Sequence, residues 1–338
     1  MEEDEASGAR SAGSWRGVRC LITGGLGFIG SSLALRLVER GARVTIVDSL
    51  LREHGGNLAN IKPIKDDVRV NLCDVRDEHV MAVLVRETDV VFHLAAQVSH
   101  VRSLSNPYPD IEINITGTAS IMEAVRKTKK DVLVVRTGTR GQYGPAIRLP
   151  VAEDAPTNPK GLYEISQLTA EKILQMYHAV HGIPCVLLRL TNIYGPRAQM
   201  QSSNFGVANW LIRLALDGKP ITIYGDGRIL RDFVFIDDTV DAILKTASSE
   251  NCVGEIINVG NDKPSSFLEL AQAICRHVPG AEMVFTEFSP ERKAQEPGDF
   301  YSNIDKIRRL VGWNPITSLD EGVRKTVEFY QQEQRNYW

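Results

Sequence analysis

"VRCLITGGLGFIGSSLALRLVERGARVTIVD", residues 18–48, sets two short apolar runs on either side of an amphipathic segment. The segment from Phe28 has helical periodicity closed by Gly41, and "RVTIVD" is the second apolar run, so the stretch predicts a βαβ unit. Gly24, Gly27 and Gly30 fall at the turn from the first strand into the helix. At such a turn the first glycine permits a tight bend, the second lets backbone approach a pyrophosphate, and the third lets helix pack on strand. The helix N-terminus adds N–H donors and the positive end of its dipole. Asp48 closes the second strand eighteen residues after Gly30. A carboxylate there accepts hydrogen bonds from ribose hydroxyls and repels a 2′-phosphate. The expectation is a site for NAD rather than NADP, formed by Gly24, Gly27, Phe28, Ile29, Gly30 and Asp48. Arg52, four residues beyond Asp48, would soften that preference.

Further apolar runs follow at "VRVNLCD" (68–74), "DVVFHLAA" (89–96), "DVLVVRTG" (131–138) and "PCVLLRLTNIYG" (184–195), with helical stretches between them such as "DIEINITGTASIMEAVRKT" (110–128). Apolar strands alternating with helices imply a parallel sheet covered on both faces. The predicted fold class is α/β, a doubly wound parallel sheet of the Rossmann kind. Asp74 and Val75, after the third strand, are placed to meet an adenine edge, although Asp74 could equally cap the helix that starts near Arg76. Ala95, Ala96 and Gln97 end the fourth strand, where small residues leave room for a cofactor. After about Tyr194 the alternation loosens into Gly- and Pro-rich turns, with helical segments near 205–217, 237–249, 266–278 and 319–332. The expected organisation is a disordered tail over 1–16, a dinucleotide-binding domain over 17–193, and a smaller substrate lobe over 194–338 with some segments returning to the main sheet.

Composition narrows the function classes. The chain has 338 residues, 43% of them hydrophobic, enough to bury a full core. Its net charge of −3, from 39 basic and 42 acidic residues spread along the chain, argues against a nucleic-acid binder. Five widely spaced cysteines without a CxxC pair fit a reducing compartment and no metal site. No run approaches the ~18 apolar residues needed to span a bilayer, and the first sixteen residues lack the apolar core of a signal peptide. A soluble cytoplasmic protein with no membrane partner is expected.

"TGGLGFIG", "HLAAQ", "GTRGQYG", Tyr163 with Ser166, "RLTNIYGP", "GDGRILRDFVFIDD" and "EPGDFYSNIDKIRRLVGW" occur in this order. Together they resemble the extended short-chain dehydrogenase/reductase family, and within it the nucleotide-sugar epimerases and dehydratases. The likeness runs from Val18 to about Tyr330. It implies a nucleotide-sugar substrate, with Tyr163 as acid/base on a sugar hydroxyl and Thr139 hydrogen-bonded to the same hydroxyl. It also implies that Asn192 and Arg231, and more loosely Arg292, hold the diphosphate; an Arg suits that task because its planar fork makes paired charge-assisted bonds. Arg231 could instead pair with Asp232, Asp237 or Asp238. His100 falls in a loop that borders the substrate in the family, or is an exposed loop histidine. The family commonly forms homodimers through a four-helix bundle, for which Ile115, Ala119, Met122, Leu168, Ile173 and Met176 would supply the surface.

The sequence departs from the family pattern twice. Gly141 stands where dehydratases and decarboxylases carry a carboxylate, and a residue without a side chain cannot act as a base. That favours epimerisation, most readily at C4, over elimination, with another sugar-nucleotide oxidoreductase or an impaired binding protein as alternatives. Arg140, beside it, could face a hexuronate carboxylate. The second departure lies in "GLYEISQLTAEK" (161–172), where Gln167 shares a helix face with Tyr163 but occupies the position of the family's active-site lysine. Gln can replace that lysine's hydrogen bond to the nicotinamide ribose and not its charge. A unit charge ~5 Å from a phenolate at an effective dielectric of ~20 is worth roughly 3 kcal/mol, about two pKa units. On this reading Gln167→Lys should restore the missing attraction.

Overall fold

Arg19–Thr23 (β1), Phe28–Glu39 (α1) and Arg43–Asp48 (β2) form the βαβ unit in the computed structural model, which describes residues 14–51, 54–202, 205–290, 293 and 296–338. The sheet continues with Val68–Leu72 (β3), Val90–His93 (β4), Leu133–Thr139 (β5) and Cys185–Leu190 (β6). Its seventh strand, Ile256–Val259, pairs with the outer side of β6, so the order is Ile256–Val259, β6, β5, β4, β1, β2, β3, all parallel. Side chains alternate between the two faces: Cys20 and Ile22 enter one apolar cluster and Leu21 the other, and Phe92 and Val91 divide in the same way. Burying each such Leu, Ile or Phe contributes about 1.5–3 kcal/mol, which is why the strands are apolar throughout. The strand order reverses at β1, and a crevice opens there at the carboxyl ends of β1 and β4.

The connecting helices include Glu78–Arg86 (α2), His100–Ser105 (α3), Gly117–Thr128 (α4) and Leu162–His181 (α5). The stretch read as one helix over 110–128 begins with a π-helical turn, Asp110–Thr116, before α4. π turns recur at functional sites. Here the turn carries the buried Asn114, whose side chain reaches the Gln97 backbone and the Ser166 hydroxyl on α5.

Three expectations need correction. Trp15 is 1% exposed and packs on Phe92 with ring centroids 5.8 Å apart, so ordered chain begins before residue 17; residues 1–13 lie outside the described residues. "PCVLLRLTNIYG" is two strands: after β6, Asn192–Tyr194 turns away to pair with Phe233–Phe235. Met122 is fully buried in the core and offers no surface for a partner. The chain beyond Tyr194 supplies small two-stranded pairs, and it returns to the main layer through the helix Ile236–Ala247 and the seventh strand.

Candidate active site

A cavity of about 830 Å³ runs from the glycine turn, past the ends of β2, β4 and β5, to the N-terminal part of α5 and on to Asn192 and Phe205. The turn leaves no room for side chains: Gly24 has φ +70, and a Cβ at Gly30 would come within 2.2 Å of the Gly24 carbonyl oxygen. No side chain caps α1, so its first N–H groups face the cavity. Asp48 lines the same end and accepts from the backbone N–H of Leu26 (3.0 Å) and Leu50 (2.9 Å). Burial raises its pKa, and those two donors and His54 oppose the rise. Phe28, Ile29, Val75, Ala95 and Ala96 complete the wall. Asp74 is also there, held well below the usual carboxylate range by the Arg76 side chain; Asp77, not Asp74, caps α2. Gln97 is not on the wall. Its buried side chain bonds the Ser99 backbone and Asp110, because Asn114 of the π turn holds its backbone facing inward. Arg52 lies outside the described residues.

At the centre of the cavity, Tyr163 from the first turn of α5 and Thr139 from the end of β5 both line the wall. Burial pushes the Tyr163 phenol up to about 12, opposed by the nearby Thr139 hydroxyl and the charge of Arg136. Thr139 is fixed by its place at the head of a short 3-10 turn, where Gly141 N–H donates to its hydroxyl and its own N–H donates to Gln142. His100 sets its ring edge against Tyr163, with centroids 4.8 Å apart, and its Nδ1 lies 2.5 Å from Glu164 Oε1. Both readings of His100 are therefore partly right: its side chain is 62% exposed, yet it borders the cavity.

Glu164 was not anticipated from the sequence. Its Oε2 is buried without a hydrogen-bond partner, and burial would raise its pKa, but the His100 bond and charge and the charge of Arg140 hold it low. A Cβ added at Gly141 would lie 2.6 Å from Glu164 Cγ. A carboxylate from α5 thus lies beside Gly141. The available signal was an acidic residue directly after the tyrosine, on the same helix end as two glycines that leave it space.

Gln167 lines the cavity one turn beyond Tyr163, and its Oε1 accepts a 2.9 Å bond from Arg136 Nη2. Arg136 lies in β5, 3% exposed, its Nη1 on the Thr137 carbonyl and its Nε without a partner. An arginine inside an otherwise apolar central strand was the sign that a buried partner existed. His93, next to it on β4, is held between the Thr23 and Thr118 hydroxyls, and burial lowers it to about 3, so it is neutral.

At the far end, Asn192 lines the cavity with a buried, unpartnered Oδ1. Arg140 does so too, with its guanidinium 4.6 Å from the Phe300 ring centroid. Arg231 does not line it. Its Nη1 donates to the Leu230 and Gly298 carbonyls and its Nη2 lies 2.5 Å from Glu296, which does border the cavity; none of Asp232, Asp237 and Asp238 is its partner. Arg292 lies outside the described residues.

The model of the NAD dependent epimerase/dehydratase family matches residues 20–260, about seven-tenths of the chain. The chain belongs to the NAD-dependent epimerase/dehydratase family. A putative UDP-glucose 4-epimerase of Methanocaldococcus jannaschii is 34% identical over 318 residues, covering 93% of this chain and 99% of its own length. A UDP-N-acetyl-alpha-D-glucosaminuronate decarboxylase of Bacillus cytotoxicus is also 34% identical, over 329 residues, 93% and 98% of the two chains. The Thermus thermophilus UDP-glucose 4-epimerase in complex with NAD superposes with a TM-score of 0.82 at 29% identity, over 93% and 99%. The family's cofactor is NAD, and the residues here fit it: the Gly24–Gly30 turn clears space for a pyrophosphate at the head of α1, and Asp48 stands where a ribose would lie.

Proposed function

We propose that this family member is an NAD-dependent nucleotide-sugar 4-epimerase. The observation that carries the reading is the placing of Tyr163 and Thr139 together on the wall of one cavity, which also takes in the glycine turn, Asn192 and Arg140. Tyr163 takes the proton of the sugar C4 hydroxyl as general base while Thr139 holds that oxygen. Bound NAD would supply the hydride-transfer chemistry at C4. Gln167, its Oε1 engaged by Arg136, would hold the nicotinamide ribose through its Nε2. The transient 4-ketone turns in the cavity, and Tyr163 gives the proton back. Asn192 and Arg140 hold the diphosphate and sugar, with Arg231 joining them once Glu296 is displaced.

Glu164 supports a second reading. A carboxylate with an unpartnered oxygen beside Thr139 could remove a proton from a carbon next to the ketone, the step that elimination requires. One experiment separates the two: NAD-loaded protein is incubated in D₂O with UDP-glucose, UDP-N-acetylglucosamine and dTDP-glucose, and products are followed by NMR. A 4-epimer free of solvent deuterium supports epimerisation. Deuterium entering beside C4, lost in Glu164→Gln, supports the second reading instead.

The working form proposed is a cytoplasmic homodimer paired through α4 and α5. No helix among the described residues is long and apolar enough to cross a membrane, and no disulfide joins the five cysteines. The outer face of α5 leaves Ile165, Met176 and Val180 at 43%, 44% and 66% exposure, next to the half-buried Leu168 and Ile173, with Ile115 and Ala119 half-buried on the neighbouring segment. Light scattering should give twice the chain mass at micromolar concentration; a monomer would remove the dimer.

A further inference from the structure

Arg136 is a cation buried without an anion. Among the described residues no carboxylate lies within salt-bridge distance of it, and the nearby Glu171 is already engaged by both Arg189 and Gln142. A buried charge left in that condition is costly unless something compensates it. What it does reach is Gln167, the residue one turn from Tyr163 that stands in for a lysine. We propose that Arg136, acting through Gln167, is the positioning residue whose positive charge stabilises the Tyr163 phenolate, so that the cation has moved from helix to strand rather than vanished. This rests on the reading of Tyr163 as the acid/base.

The surroundings make Arg136 the cation that matters. Facing Tyr163 are Glu164 on its own helix, Asp110 on the π turn, His100 at the head of α3, and Arg136 on β5. Glu164 and Asp110 oppose ionisation of the phenol, and Arg136 favours it. On the other side, Arg136 is faced by Glu171 and by the neutral His93. Gln167 presents its oxygen to Arg136 and so must present its Nε2 elsewhere, which orients the amide as a donor for the cofactor side. The pair also explains why Gln167→Lys alone would not do what the sequence reading expects. A lysine there loses the acceptor that Arg136 uses and sets two like charges side by side in a buried site.

The test is the titration of the Tyr163 phenol in NAD-loaded protein, read from tyrosinate absorbance as the difference between each background and the same background carrying Tyr163→Phe. Arg136→Gln keeps a hydrogen-bonding group beside Gln167 and removes the charge; it should raise the phenol's apparent pKa by about one unit or more. Arg136→Lys should stay near wild type, and the double variant Arg136→Gln with Gln167→Lys should return towards it. Turnover at neutral pH should follow the same order, about tenfold lower in Arg136→Gln. Arg136→Met tests the same point without any hydrogen bond. Because the absorbance needs no turnover, a failure of the 4-epimerase reading would leave this result interpretable. An unchanged titration in Arg136→Gln, or no return in the double variant, overturns the proposal.

Discussion

Single residues in this fold are set by what surrounds them as much as by their own chemistry, and Asp232 is the plainest case. It is fully buried, with one oxygen bonded to the Ser302 N–H and the other without a partner, and burial pushes its carboxyl up to about 7 against the pull of Arg140. Its folded pKa therefore exceeds its unfolded value near 3.9. The folded state keeps a proton that the unfolded state releases, so the contribution of Asp232 is most favourable below pH 4 and is lost as pH rises to about 7, with a ceiling of roughly 4 kcal/mol. Asp232→Asn removes the titration. The difference in urea unfolding free energy between variant and wild type should shift in the variant's favour from pH 4 to 7 and level off above; a flat difference would contradict the assignment. Tyr163 and Thr139, which the family resemblance singles out, both line the cavity. The facing of Gln97 could not be read from the sequence, since it depends on Asn114 in a π turn that no apolar periodicity announces.

The element that organises the site is α5. Tyr163, Gln167 and Glu171 recur every four residues along its inner stripe, and each meets a different partner: Thr139, Arg136, and the pair Arg189 and Gln142. The sequence shows the stripe but not the partners, because they come from β5, β6 and the turn after β5, and adjacency of strands is not written in either strand alone. Glu171 holds Arg189 through both carboxylate oxygens, at 2.7 and 2.9 Å, with both side chains 3% exposed. Glu171→Ala removes the carboxylate that Arg189 pairs with and the acceptor of Gln142 Nε2, and takes away a negative charge that faces Arg136. It should cost about 3–5 kcal/mol in chemical denaturation, whereas Glu171→Met with Arg189→Met should cost clearly less. A single variant within about 1 kcal/mol of wild type would show that the ion pair does not secure α5.

At the scale of the whole molecule, the parallel sheet was legible from alternating apolar runs and the glycine turn, and so was the cofactor end of the cavity. Ile256–Val259 and Ile236–Ala247 join the main layer while following the looser part of the chain. Arg231 is engaged by Glu296, sixty-five residues away in the chain, and Glu164 of α5 packs against Gly141 in the turn after β5; neither contact is announced by a single stretch of sequence. The proposed 4-epimerisation turns on one step: a hydride would leave C4 and the same hydride return, governed by Tyr163. The direct measurement uses whichever nucleotide sugar the protein turns over, deuterated at C4, with NAD-loaded enzyme in ordinary water. The account predicts a 4-epimer that retains the deuterium at C4, and no product from Tyr163→Phe. Deuterium washed out to solvent, carried to another carbon, or retained with full turnover in Tyr163→Phe would contradict it.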